Sequence, residues 1–132
     1  MESVIIVAPR NYDSMLRARL DRLGPIRVSA SGEWIVEDGK SRAYLARNDS
    51  VGDGLEPERL KAIVSKVANP IFDTIDFSDI SLCKIVMLAL VDDSELLVDD
   101  DHGRLLSGTD FVRELTRRPE WDWRKDGVEP LK

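Results

Sequence analysis

The sequence predicts an α+β (mixed α/β) fold: a mostly antiparallel mixed sheet with a three-strand meander, packed against three to four helices. Three patterns carry that expectation. A β-branched run stands near the start, the hydrophobic period changes from helical to alternating after Pro25, and helical spacing returns after Pro57. At 132 residues the chain is large enough for one core and too short for two full domains. Residues 1–132 are therefore expected to form a single compact domain with a tryptophan-bearing tail from about 119 to 132.

Val4 to Val7, closed by Pro9, reads as a buried strand in the middle of a sheet. Asn11 is placed to cap a helix on which Tyr12, Leu16, Leu20 and Leu23 recur, with Met15 beside them, until Gly24 and Pro25 stop it. Arg17, Arg19 and Arg22 fall on its wet side. Ile26, Val28 and Ala30 then alternate with polar residues, Ser31-Gly32 turns the chain, and Trp34 to Val36 follows as a strand. Asp38-Gly39 signals a type I′ hairpin into a third strand over Ser41 to Arg47. Asn48 to Gly54 reads as a flexible loop.

Pro57 in a first turn, with Glu56 and Glu58 at the positive helix end, opens a helix carrying Leu60, Ile63, Val64 and Val67 on one stripe until Asn69-Pro70. Ile71 to Phe77 is expected as a strand with Asp73, Ile75 and Phe77 on one face. Ser78 or Asp79 caps a helix to about Val91, although the seven apolar residues Ile85 to Val91 fit a buried strand as well. Glu95 to Val98 reads as a short strand, and Leu105-Leu106 as a brief extended piece. Ser107 or Thr109 caps a last helix with Phe111, Val112 and Leu115, ended by Pro119.

Composition excludes several function classes. Hydrophobic residues at 42% and charged residues at 33% exclude a disordered chain. No window approaches the roughly 18 apolar residues that span a bilayer, so no membrane role is expected. Val4 to Val7 is too short for a signal-peptide core and lacks a basic flank, which points to the cytoplasm. Cys83 is the only cysteine, so an intrachain disulfide is ruled out, and its apolar neighbourhood favours packing over a reactive thiol. A net charge of −6 disfavours nucleic acid as a ligand.

The acidity is uneven. Residues 1–66 carry 11 bases against 10 acids, and residues 67–132 carry 8 against 15. Asp73 to Asp101 holds nine acids (Asp73, Asp76, Asp79, Asp92, Asp93, Glu95, Asp99, Asp100 and Asp101) against Lys84 alone, which should project a negative field. Two readings stand equal: solubility, or a docking surface for a basic protein.

Catalytic motifs are sparse. His102 is the only histidine, which excludes a histidine triad or a two-histidine metal site within the chain. Asp99-Asp100-Asp101-His102-Gly103 invites a metal reading, but its spacing departs from a calcium loop, and a solvated acidic turn fits better. Gly52-Asp53-Gly54 lacks the Lys and Ser or Thr of a phosphate loop. No cofactor and no metal are therefore expected. Of Trp121 and Trp123, past the last helix, at least one is expected to fold back over the core, and the other, if it stays exposed, to serve as an anchor beside the acids.

The stretch Leu96 to Gly103, with Gly108-Thr109-Asp110-Phe111-Val112 and Pro119-Glu120-Trp121-Asp122-Trp123, resembles small bacterial immunity proteins that neutralise toxins. The resemblance covers roughly the last third of the chain. It implies a small, acidic, non-enzymatic protein that binds a cognate toxin domain, such as a nuclease, in the cytoplasm of the producing cell. It supplies no functional residues. The candidate partner-binding set Asp92, Asp93, Glu95, Asp99, Asp100, Asp101, Trp121 and Trp123 rests on charge and expected exposure. The alternatives are a small metal-dependent enzyme or binder using Asp99, Asp101 and His102, or an adaptor whose homodimer buries the tail tryptophans.

Overall fold

The computed structural model describes residues 1–24, 26–91, 93, 95–101 and 104–125. Among them are seven strands and five α-helices: β1 (Glu2–Pro9), α1 (Asp13–Asp21), β2 (Arg27–Val28), β3 (Trp34–Asp38), β4 (Ser41–Arg47), α2 (Ser50–Asp53), α3 (Pro57–Lys66), β5 (Pro70–Phe77), α4 (Ile80–Leu90), β6 (Leu97–Asp99), β7 (Leu105–Ser107) and α5 (Gly108–Arg117). One sheet of order β2-β3-β4-β5-β1-β6-β7 holds them, and every pairing is antiparallel rather than mixed.

β1 is interior, as its β-branched run demands. It pairs with β5 from Glu2↔Phe77 to Pro9↔Pro70, and with β6 from Ile5↔Asp99 to Val7↔Leu97. Alternation sends successive side chains to opposite faces. Val4, Ile6 and Ala8 join the main core with Leu16 and Leu20 of α1, Val86, Met87 and Leu90 of α4, and Phe111 and Leu115 of α5. Val7 joins a smaller cluster with Ile63, Val67, Phe72 and Leu97 under α3. The sheet thus carries three helices on one face and α3 on the other.

The run from Ile85 is helix as far as Leu90, with Val91 extended at the C-cap. Asp79 caps α4 by accepting from the Ser81 N–H (2.9 Å), and Leu82, Cys83, Val86, Met87 and Leu90 are buried at helical spacing. Ile85 and Leu88 of the same run stay outside, at 46% and 47% exposure, so its continuous apolarity overstates its burial. Ser107, rather than Thr109, caps α5 by accepting from the Asp110 N–H (3.1 Å).

Several local expectations are corrected. Asn11 does not cap α1; it lies in a 3-10 turn over Arg10–Tyr12, and the helix starts at Asp13 with Tyr12 at the N-cap. The Ile26 to Ala30 strand shrinks to Arg27–Val28; beyond it the Ser29 N–H donates to Glu33 O (2.8 Å) and the Gly32 N–H to Ser29 O (3.0 Å), turning the chain into β3. In the β3–β4 hairpin Asp38 pairs with Ser41, so Gly39-Lys40 forms its centre. Only Gly39 there takes a positive φ (61°), the pattern of a II′ turn rather than I′. The expected loop Asn48 to Gly54 contains α2, where a Cβ on Gly52 would meet the Phe72 ring at 3.0 Å.

The tail correction matters most for function. Trp121 and Trp123 are each 1% exposed. With Phe111 and Phe77 they form an aromatic cluster whose ring centroids lie 5.3 to 5.8 Å apart, so both indoles are core and neither is a surface anchor. One chain covers them without a second copy.

Candidate functional site

Most of the described acids of Asp73 to Asp101 have partners from outside the segment, some of them neutral hydroxyls and some arginines. Asp76 accepts from the Ser3 hydroxyl (2.5 Å), and Asp79 from the Ser41 hydroxyl (2.7 Å) and the α4 cap. The Tyr12 hydroxyl is within reach of Asp93 (3.0 Å) and of Glu95 and, with one proton, serves one at a time. The Glu95 bond, burial and Asp93 push the phenol above its ordinary range. Arg19 donates to Leu90 O (2.8 Å) and lies 3.9 Å from Asp93, tying α1 to the end of α4. Arg19 is therefore a structural brace rather than a member of a wet basic face.

Asp99 and Asp100 are buried, at 7% and 2% exposure. Arg59 of α3 donates to Asp99 Oδ2 from Nη2 (3.0 Å) and Nε (3.3 Å), while Asp99 Oδ1 accepts from the Asp101 N–H (2.9 Å). Asp100 Oδ1 accepts from the Arg104 N–H (3.1 Å) and Oδ2 lies 3.6 Å from Arg104 Nη1. These two carboxylates brace the β6–β7 turn. They correct the expectation of an exposed triplet: within Asp99 to Asp101 only Asp101 is exposed, held at φ 63°. Asp92 and His102 lie outside the described residues.

One concave feature gathers part of the expected set. Gly54, Leu55, Glu56, Arg59, Asp99 and Asp101 line an open cleft of about 400 Å³ beside the start of α3. Pro57 begins α3 and leaves Glu56 exposed at the N-cap, while β6 delivers Asp99 and the turn after it delivers Asp101. Among the described residues that line it are three carboxylates and one guanidinium, which Asp99 already engages. The cleft can therefore accept a cationic group at its rim.

Glu56 and Arg59 were missed as site residues, because they stand some forty positions before Asp99 and read locally as an ordinary helix start. Among the described residues no group of three or more His, Cys, Asp or Glu is arranged to hold a metal ion, and the Asp99 carboxylate is committed to Arg59. Cys83 is fully buried, and burial pushes its thiol well above the ordinary range. Among the described residues no helix is long and apolar enough to cross a membrane. Compared with protein-family models, curated proteins and solved structures, the chain matches none of them.

Proposed function

We propose that the chain is a non-enzymatic, protein-binding inhibitor of the immunity type, which docks a basic segment of a toxin domain into the cleft beside α3. The observation that carries this reading is the cleft itself, with Glu56, Asp99 and Asp101 around a single engaged arginine. Folding already buries Asp99 and pairs it with the half-buried Arg59, so an arriving cation meets the exposed rim acids Glu56 and Asp101. Rim charges of this kind act mainly on the association rate and on salt dependence.

The test is affinity capture from producing cells at low salt, with elution at high salt, followed by an activity assay of whatever co-purifies. The reading expects a basic protein in near-equal amount whose toxic activity the pure chain suppresses. Glu56→Lys with Asp101→Lys should slow association by roughly tenfold with little change in the dissociation rate. A partner whose activity is indifferent to the chain, or binding indifferent to both salt and the double substitution, would remove the proposal.

A further inference from the structure

On the other face of the sheet, Asp73 occupies a position that the rest of β5 gives to apolar side chains. Ile71, Ile75 and Phe77 share its face and lie in the main core. Asp73 is only 7% exposed, yet among the described residues its carboxylate accepts no hydrogen bond and closes no ion pair within 4.0 Å. A buried carboxylate without such a partner is costly. It lines a partly enclosed pocket whose other walls include Asp13, Arg17, Trp34, Leu45 and Arg47.

The two arginines are already committed. Arg17 lies 3.6 Å from Asp13 and stacks over Trp34, 4.8 Å from its ring centroid. Arg47 donates to Asp49 (2.7 Å) and stands 3.6 Å from Asp13. Asp13 is thus shared by two guanidiniums, while Arg47 and Arg17 act on Asp73 only from beyond ion-pair distance. The space open to the centre of a water-sized group is about 20 Å³, which favours a compact head group over a broad planar one. A compact ammonium, with three donors on a single atom, matches both the volume and the charge.

We propose that this pocket is a binding site for a primary ammonium group, with Asp73 as its principal acceptor. The assignment is independent of the cleft beside α3. The ammonium comes either from a small free amine or from a lysine tip of a protein. Burial and the Asp13 carboxylate push Asp73 up to about 6, while Arg47 and Arg17 oppose this and Asp49 adds to it. A bound cation reverses the balance.

The experiment is an NMR titration of the full chain with methylammonium chloride, against sodium chloride and tetramethylammonium chloride at equal ionic strength. Saturable shifts are expected at the Gly32 amide and the Trp34 indole, with the Asp73 carboxyl titration falling by roughly one pH unit at saturation. Asp73→Asn, which keeps the shape, should abolish both. A second arm compares blocked Gly-Lys-Gly and Gly-Arg-Gly peptides. Binding of methylammonium alone assigns the site to free amines, and binding of the lysine peptide as well assigns it to protein lysines. Wild-type shifts no different from those in sodium chloride, shifts that survive Asp73→Asn, or an arginine peptide binding as well as the lysine one would overturn the proposal. In the first case the pocket holds water only.

Discussion

Asp73 gives the clearest expectation for a single residue. Its carboxyl is pushed up to about 6 in the folded chain, above the ordinary aspartate value, because burial and Asp13 disfavour its charge. The folded state then holds this proton more tightly than the unfolded chain does. Stability that is fully present below about pH 4 is lost as pH rises through about 6, by roughly 2 to 3 kcal/mol. Asp122, held low by Arg124, and Asp79, held low by the Ser41 hydroxyl, slope the other way, so wild type must be compared with Asp73→Asn. In urea unfolding the variant should be the more stable at pH 7, with the difference vanishing below pH 4. Equal pH profiles would show that Asp73 carries no such penalty. Arg59 behaves oppositely: its loss leaves Asp99, whose side chain is 9% exposed, charged and unpaired. Arg59→Met is expected to cost about 3 kcal/mol, and adding Asp99→Leu to recover most of it, since removing both charges leaves no buried ion.

At the scale of elements, the start of α5 is the tightest junction. A Cβ on Gly108 would stand 2.4 Å from Asp93 O and 2.7 Å from Val91 Cγ1, and the Gly108 N–H bonds to Leu96 O (2.7 Å). Gly108→Ala should therefore cost about 2 to 3 kcal/mol by forcing the 91–96 segment away, whereas Ser107→Ala, one residue earlier, should cost about 1 kcal/mol through the lost cap. Thermal unfolding of the pair distinguishes crowding from capping. Elements of this kind were largely legible in the sequence, because caps, prolines and hydrophobic period act over a few residues. Ser41 to Arg47 is a strand with the expected bounds, and Pro57 opens α3 as its position requires. What failed was set by tertiary packing. The Asn48 to Gly54 segment coils into α2 against Phe72, a contact that local pattern cannot reveal.

The same distinction governs the candidate site. The acids of Asp73 to Asp101 were visible, but the hydrogen bond from Tyr12 and the ion pairs with Arg19 and Arg59 were not, since those partners lie 40 or more residues away. Asp73 itself left a signal: one carboxylate among Ile71, Ile75 and Phe77 on a face otherwise apolar. The two tail tryptophans left none that could separate anchor from core, because both roles favour large aromatics. For the whole molecule, the docking proposed above would rest on the exposed rim acids Glu56 and Asp101 rather than on the full segment.

The central place of β1 also bears on how the protein is made. Ile6 pairs with Asp73 on one side and Val98 on the other, so β1, which precedes both neighbours in the chain, waits for its second partner until β6 has left the ribosome. Until then the nascent β1 offers two open, β-branched edges, the feature most prone to intermolecular pairing. Such non-local pairing favours slow, late folding, and chaperone engagement during synthesis is the natural safeguard.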